Sequence, residues 1–172
     1  KDNFVDAEGN DVRPLDGLRL ARQFGMITYR SLDEFSQRFN NSPRLPVKLS
    51  ESGTFEVERY LRANGDKFAK TFDANCYLLL SIASDLMDLG RNKDNFAQGV
   101  GNINAKTLII GVENDMIIPF SEQQELYSVM KGLGKNVELL RYSSIFGHDA
   151  FFVDDHFFTP KIRSFLGNHI LK

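Results

Sequence analysis

Two residues in the second half of the chain, Asp115 and His148, have the types and the order that acid–base catalysis requires. Each follows a run of apolar and β-branched residues, Thr107–Val112 in the first case and Val137–Tyr142 in the second. A neutral imidazole becomes an effective general base when a carboxylate fixes its tautomer and stabilises its protonated form. The pair therefore predicts a histidine base, His148, oriented by an acid, Asp115.

The first run predicts a β-strand that is buried on both faces, and the second run predicts a neighbouring strand. After the first run, Pro119 ends regular strand pairing and Ser121–Gln124 predicts the start of a helix. In open α/β sheets the ligand binds beyond the carboxyl ends of the strands, where both candidate side chains would lie. An acid followed along the chain by a histidine is also the order in which α/β-hydrolases carry the last two members of their catalytic triad.

The nucleophile of such a triad is missing, because the sequence contains no Gly-x-Ser-x-Gly elbow. Ser31, Ser143 and Ser144 all lack the flanking glycines. Two strands are moreover too few for an independent parallel sheet. We therefore expect this chain to be a fragment, with the nucleophile in an N-terminal part that it does not contain.

The first ninety residues predict helices, and the last seventy predict strands alternating with helices. This division predicts a helical segment over residues 1–99 and a strand-containing part over residues 100–172, with a seam at Gly99–Asn104. The capping box Ser31–Glu34 and a cap at Asp73 predict the starts of two helices. The predicted helices span residues 17–29, 31–39, 55–72 with a break near Asn64–Gly65, 74–89 with Cys76 in the core, and 159–171 starting at Thr159–Pro160. Residues 40–53 are predicted to form a loop.

Length and charge narrow the classes of function. A chain of 172 residues can bury a sizeable core, and a net charge of −2 gives no field that would attract nucleic acid or an anionic membrane surface. No apolar run is long enough to span a bilayer. The single cysteine fits a reducing compartment, so we expect a cytoplasmic protein, and the spacing of the three histidines predicts no metal site.

Two further charged residues have more than one interpretation. Asp149, next to the predicted base, is compatible with a helix N-cap or with a carboxylate that holds a substrate ammonium group. Arg22, on a partly apolar helix face, is compatible with an ion pair, with a side chain extended over apolar surface, or with a substrate contact. From the residues alone these alternatives remain open.

Six segments of the chain resemble the homoserine O-acetyltransferases, which belong to the α/β-hydrolase superfamily and have serine O-acyltransferase relatives. The most specific strings are Thr-Tyr-Arg-Ser, Phe-Asp-Ala-Asn and Gly-His-Asp-Ala-Phe. The resemblance implies an α/β fold in which a helical lid precedes the C-terminal part of an α/β-hydrolase core. The matching segments are Gly17–Ser31, Phe55–Glu58, Gly65–Phe68, Phe72–Leu78, Gly111–Pro119 and Gly147–Phe151.

The resemblance also implies a role for each candidate residue. Asp115 and His148 would be the catalytic pair, and Arg22, Tyr29 and Asp149 would bind the substrate. Arg22 precedes Tyr29 by seven residues, the spacing at which the lid arginine of the family binds the amino-acid carboxylate. Asp149 would contact the ammonium group of the same substrate.

The implied reaction is acyl transfer from acetyl-CoA to the hydroxyl of L-homoserine through a serine acyl-enzyme, as in methionine biosynthesis. No permanently bound cofactor is expected, and the lid helices would build a homodimer. L-serine as acceptor and succinyl-CoA as donor remain alternatives, as do an esterase and a non-catalytic interaction module. The family more often has a serine before its catalytic aspartate, whereas this chain has Asn114. The difference affects the assignment to a subgroup of the family rather than the assignment of the triad.

Overall fold

The computed structural model describes residues 8, 14–40, 55–91 and 95–167. Two strands, β1 (Thr107–Val112) and β2 (Val137–Tyr142), form its sheet, and a short 3-10 turn spans Gly147–Asp149. The α-helices of these ranges are α1 (Leu15–Thr28), α2 (Leu32–Phe39), α3 (Glu56–Thr71), α4 (Ala74–Asp85), α5 (Phe96–Gly101), α6 (Phe120–Gly132), α7 (Ala150–Val153) and α8 (Asp155–Leu166).

The contacts divide the chain into two compact units. The first lies within Lys1–Ile27 and Ser36–Met87, and the second lies within Thr28–Phe35 and Asp88–Lys172. The second unit therefore contains both strands together with the short segment between α1 and α2. The predicted division at residue 99 stays a prediction.

The two strands have the bounds predicted from their apolar runs. They pair in parallel, with Thr107 opposite Val137 and Val112 opposite Tyr142. Because α6 connects them, both carboxyl ends lie at the same edge of the sheet. This edge carries the loops that follow Val112 and Tyr142.

Two apolar clusters of the second unit hold the strands in place. Val100, Ile109, Met130 and Val137 form one cluster, in which Val100 of α5 and Met130 of α6 are completely buried. The other contains Val112, Ala150 and Phe158, and so joins the end of β1 to the helices that follow the second strand. Apolar packing thereby anchors both strands to the helices of the second unit.

The structure contradicts the predicted break in the third helix. α3 runs without interruption from Glu56 to Thr71, and Asn64 donates a side-chain hydrogen bond to the Tyr60 carbonyl 2.8 Å away. Gly65 is buried, and a Cβ at that position would stand 2.9 Å from the Arg19 carbonyl oxygen. The glycine thus allows α1 to approach α3 and does not end the helix.

The bounds of three other elements also differ from the prediction. α4 begins after the predicted Asp73 cap but ends at Asp85. The predicted seam overlaps the end of α5, which Asn95 caps by accepting from the Gln98 amide at 3.1 Å. α8 begins at Asp155, so Pro160 lies inside it rather than at its start. The helix ends at Leu166 and is followed by Gly167 at φ +78, so it stops short of its predicted end at residue 171. Most of the predicted loop at 40–53 lies outside the described residues.

The fourth helix exposes its apolar side chains. Cys76, predicted to be in the core, is exposed, and α4 has no buried residue within the described part of the chain. Asp73 fixes the start of the helix, because its side chain accepts a hydrogen bond from the Cys76 amide at 2.9 Å. The exposed apolar residues of α4 and the turn after it are Leu78, Leu79, Leu80, Ile82, Leu86 and Met87.

Candidate active site

The side chains of Asp115 and His148 meet at the carboxyl edge of the sheet. His148 Nδ1 lies 2.9 Å from Asp115 Oδ2, which is within hydrogen-bonding distance. The aspartate side chain is 8% exposed and the histidine side chain 24%, so the acid lies beneath the base. The structure thus brings the two predicted catalytic residues together, and their role in catalysis stays a prediction.

The turn after β1 fixes the orientation of Asp115. Its second oxygen, Oδ1, accepts hydrogen bonds from the amides of Ile117 at 2.8 Å and Ile118 at 2.9 Å. An aspartate that accepts from the backbone two and three residues later is a common way to stabilise a turn. Because these amides hold Oδ1, Oδ2 is the oxygen that faces the imidazole.

The contact with Asp115 determines which nitrogen of His148 is available for chemistry. When a carboxylate accepts from Nδ1–H, the neutral ring has its lone pair on Nε2. The Tyr29 ring lies at a centroid distance of 5.6 Å and the Phe151 ring, edge-on, at 5.9 Å. The imidazole is thus oriented by a carboxylate and flanked by two aromatic rings, as a general base requires.

A buried aspartate that sequence reasoning missed shapes the loop before His148. Ser144 Oγ donates to Asp154 Oδ2 at 2.5 Å, and the Phe146 amide donates to the same hydroxyl at 3.1 Å. The Tyr142 hydroxyl also donates to Asp154 Oδ2, at 3.1 Å. Partial burial of Tyr142, and then this hydrogen bond, raise the pKa of its phenol, so that it remains a donor at neutral pH. No local pattern in the sequence pointed to Asp154.

Polar contacts also join the two strand ends directly. The Glu113 amide donates to the Tyr142 carbonyl at 2.9 Å, and Asn114 Nδ2 donates to the Ser144 carbonyl at 3.3 Å. A hydrogen bond from Ser143, and then the neighbouring Arg141, lower the pKa of the Glu113 carboxyl. The loops that carry the acid and the base are thus tied together, which fixes the distance between them.

Asp149, predicted to bind a substrate ammonium group, contacts an arginine in this structure. Asp149 occupies the N-cap position of α7, but its side chain accepts no capping hydrogen bond. Its Oδ2 instead lies 2.9 Å from Arg30 Nε, and its amide donates to the Tyr29 carbonyl at 3.1 Å. Arg30 lies within the Thr-Tyr-Arg-Ser string, yet the sequence alone assigned it no role. The capping interpretation is wrong for the side chain of Asp149.

Arg22, the predicted carboxylate ligand, lies on α1 in the first unit. Its guanidinium carbon is 5.4 Å from the centroid of the Phe68 ring, which is cation–π distance. The sequence left open a position over apolar surface, and this contact is of that kind. Its role as a substrate ligand, like those of Tyr29 and Asp149, stays a prediction.

A cavity of about 310 Å³ in the second unit is lined in part by Asp115, whereas His148 is not among its lining residues. Ser31, Leu32 and Asp33 line one side, and the loop from Glu113 to Met116 lines the other. Within the ranges that the structure describes, no group of three His, Cys, Asp or Glu side chains could hold a metal ion. No helix in the same ranges is long and apolar enough to cross a membrane.

Comparison with known sequences finds two kinds of relative. No family model matches the chain. A serine O-succinyltransferase from Litchfieldella anticariensis is 40% identical over 172 residues, which is 96% of this chain and 46% of the relative. A homoserine O-acetyltransferase from Symbiobacterium thermophilum is 36% identical over 156 residues, 89% of this chain and 41% of the relative. The chain thus spans less than half the length of these curated relatives.

Solved structures confirm the predicted fold class. A homoserine O-acetyltransferase from Bacillus anthracis has a TM-score of 0.82 at 22% identity, over 91% of this chain and 42% of that one. Esterase E22 has a TM-score of 0.77 at 23% identity, over 90% of this chain and 43% of that one. The chain is therefore part of an α/β-hydrolase fold. Because transferases and esterases share this fold, the fold by itself does not separate the two activities.

Proposed function

We propose that this chain, which belongs to the family of the homoserine O-acetyltransferases and serine O-succinyltransferases, supplies the acid and the base of an amino-acid O-acyltransferase. The observation that carries the proposal is the 2.9 Å contact between His148 Nδ1 and Asp115 Oδ2. Acyl transfer is the activity for which these relatives are named. The acyl donor, the acceptor and the pathway are part of the proposal.

The first half-reaction would form an acyl-enzyme. His148 Nε2 accepts the proton of a serine hydroxyl supplied by the rest of the enzyme, and the serine oxygen attacks the thioester carbonyl of the acyl donor. The tetrahedral intermediate expels the CoA thiolate, which takes the proton from the imidazolium. Asp115 stabilises the imidazolium throughout and is not itself protonated. Acetyl-CoA is the proposed donor and succinyl-CoA the alternative, and no other cofactor takes part.

The second half-reaction would pass the acyl group to an amino acid. His148 deprotonates the acceptor hydroxyl, which attacks the acyl-serine ester, and the imidazolium then returns the proton to the serine. L-homoserine is the proposed acceptor and L-serine the alternative, since relatives of both names match the chain. Arg22 and Tyr29 would bind the acceptor carboxylate, and Asp149 would bind its ammonium group.

An esterase is the second candidate, because esterase E22 shares the fold. Its reaction would follow the same steps, with water in place of the amino acid in the second half-reaction. Water needs no contact with a carboxylate or an ammonium group, so an esterase gives Asp149 no function beside the base. We prefer the transferase because the matching curated relatives are named as transferases.

Assembly and location complete the proposal. The exposed apolar residues of α4 favour a homodimer built from lid helices. An acyl-CoA donor and a single cysteine favour the cytoplasm. Both are inferences about the whole enzyme, of which this chain is a part.

The test of the proposed function uses the full-length enzyme, with CoA release and O-acyl amino acid measured together. Replacement His148→Ala should lower turnover by about four orders of magnitude, because it removes the base of both half-reactions. His156→Ala is the matched control, since this histidine is exposed on α8 and lies outside the proposed site. The 172-residue chain alone should release no CoA, because it lacks a serine elbow. Normal turnover by His148→Ala would refute the proposal.

A further inference from the structure

Arg30 connects two carboxylates beside the catalytic pair. It lies between α1 and α2, where its Nε is 2.9 Å from Asp149 Oδ2 and its Nη1 is 3.5 Å from Glu34 Oε1. The three side chains are largely shielded from water, with exposed fractions of 16% for Arg30, 17% for Asp149 and 8% for Glu34. All three belong to the second unit, which also contains His148.

Backbone contacts fix the position from which the Arg30 side chain extends. The residue before it, Tyr29, accepts from the Asp149 amide at 3.1 Å, and the residue after it, Ser31, donates its hydroxyl hydrogen to the Ile145 carbonyl. Ser31 Oγ also accepts from the Glu34 amide at 3.1 Å and so caps α2. The backbone of Arg30 is therefore held against the loop that carries His148, and the guanidinium has little freedom to move away from Asp149.

The ion pair leaves the two oxygens of Asp149 in different situations. Oδ2 contacts Arg30, whereas Oδ1 has no hydrogen-bond donor in the part of the chain that the structure describes. The contact between Arg30 Nε and Asp149 Oδ2 has the distance of an ion pair, although Nε makes no hydrogen bond of good geometry. The attraction between the two charges restrains the carboxylate, and this lowers the entropy that the carboxylate would otherwise lose when a ligand binds to its other oxygen. Asp149 is adjacent to His148 in the chain, so Oδ1 can take a cationic group of the molecule on which the base acts.

Stability of the fold is a weak reason for such a pair. Desolvation of two charges largely offsets their attraction, so a shielded ion pair adds little net stability. Orientation of a functional carboxylate explains the ion pair better. A planar guanidinium that contacts Glu34 and Asp149 at once can hold the Asp149 carboxylate in place. A lysine ammonium at this position would keep the charge but could not reproduce that geometry.

We propose that Arg30 is a positioning residue that holds the Asp149 carboxylate so that its second oxygen binds the ammonium group of the acceptor. The inference rests on the proposed function and deepens it, since it names the residue through which the site would distinguish amino-acid acceptors from hydroxy acids. It makes Arg30 a determinant of acceptor specificity that does not itself touch the acceptor.

The test compares two acceptors in one preparation of the full-length enzyme. L-homoserine is one, and 4-hydroxybutyrate, the same molecule without the amino group, is the other; L-serine and 3-hydroxypropionate replace them if serine is the acceptor. Arg30→Met should lower the ratio of the two kcat/KM values at least about tenfold, because Asp149 loses its orientation. The loss should lie mainly in KM for the amino acid. Arg30→Lys should lower the ratio less, since the positive charge remains.

Two controls separate positioning from a role in the fold. Arg59→Met removes an exposed arginine paired with Glu56 on α3, and it should leave the ratio unchanged. The burst of CoA release should also be unchanged in Arg30→Met, because acylation precedes acceptor binding. The ratio of the two kcat/KM values, measured on one preparation, does not depend on the fraction of folded enzyme. If Arg30→Met does not fold, the ratio is measured on Arg30→Lys instead.

The role of Asp149 as intermediary is tested by combining variants. In an Asp149→Asn background, Arg30→Met should have almost no further effect on the ratio, because the carboxylate that it orients is already gone. Additive effects of Arg30→Met and Asp149→Asn on the ratio would overturn the inference, and so would an unchanged ratio in both single variants of Arg30. Either result would leave the proposed function standing as long as the wild type transferred acyl groups to an amino acid. If the wild type transferred acyl groups to no amino acid, the proposed function would fail and the inference with it.

Discussion

At the scale of single residues, the loops around His148 depend on carboxylates that contact more than one partner each. One carboxylate oxygen of Asp115 accepts hydrogen bonds from two backbone amides, and the other oxygen faces His148. Asp154 accepts from Ser144 and Tyr142 through the same oxygen. Such contacts fix a carboxylate in one rotamer, so the histidine meets an acceptor whose position is already determined.

Arg22 is the residue at which a role in binding can be separated from a role in the fold. Lysine at this position keeps a cation over the Phe68 ring but loses the planar fork that binds a carboxylate through two hydrogen bonds. We expect Arg22→Lys in the full-length enzyme to weaken use of homoserine at least about tenfold, which corresponds to about 1.4 kcal/mol. Acylation should be nearly unaffected, because the acceptor binds after it.

The measurement is burst-phase CoA release beside steady-state transfer. Arg62→Lys, an exposed arginine of α3, serves as the control and should change neither. Equal losses in both phases for Arg22→Lys would show that the arginine serves the fold or the thioester site, and would favour the esterase.

At the scale of elements, the loop between β2 and α7 places the base by close backbone contact. Gly147 has φ +61, and a Cβ at that position would stand 3.0 Å from the Ser31 amide nitrogen and 3.2 Å from the Asn114 carbonyl oxygen. A left-handed conformation combined with this proximity requires glycine. His148 follows directly, so the direction of its side chain depends on this one turn.

Gly147→Ala should therefore damage catalysis more than stability. The left-handed conformation costs an alanine about 1–2 kcal/mol, and the added methyl group must also push the loop away from Ser31. A displacement of about 1 Å at His148 would lower kcat by about 100-fold. Gly134→Ala is the matched control, because Gly134 has φ +70 and no atom lies within 4 Å of the position that a Cβ would take there.

Both variants should lose stability in denaturant unfolding of the full-length enzyme, Gly147→Ala somewhat more because of the added contact, while only Gly147→Ala loses kcat. Equal kcat values for the two would contradict the view that this turn aims the histidine.

At the scale of the whole molecule, the apolar surface of α4 needs a partner. Leu79 is 67% exposed and Met87 is 66% exposed, with further apolar side chains between them. Exposed apolar area of this kind marks a surface at which proteins associate. A second copy of the enzyme is the partner that we propose, since the helices of the first unit would then form a homodimer interface.

We expect the full-length enzyme to sediment as a dimer at micromolar concentration. Leu79→Glu should shift it toward monomer, because burial of an unpaired charge at an interface is costly. Asp33→Asn, a change at an exposed site on α2, is the control for a general effect of altered charge. A wild-type monomer at that concentration, or a dimer unchanged by Leu79→Glu, would count against this interface.

The sequence by itself determined the local features of the site. The apolar run Thr107–Val112 defined β1, because a strand buried on both faces admits few polar residues. β2 was also predicted with its observed bounds, although Glu138 and Arg141 are exposed on it. The chain order of Asp115 and His148 predicted that their side chains would meet, since parallel strands joined by a helix bring their carboxyl ends together. Ser31 was recognised as a cap because the signal spans only a few residues.

Only the tertiary structure decided the contacts between distant segments. Gly65 was expected to break α3, and packing of α1 against it overrode that propensity. Pro160 was expected to start α8, yet the helix begins at Asp155, next to the buried Asp154. The contact between Arg30 and Asp149 joins residues that are far apart in the chain, and local periodicity carries no information about such pairs. The sequence thus predicted the contact between Asp115 and His148, whereas three-dimensional packing determined which side chains hold the two residues in place.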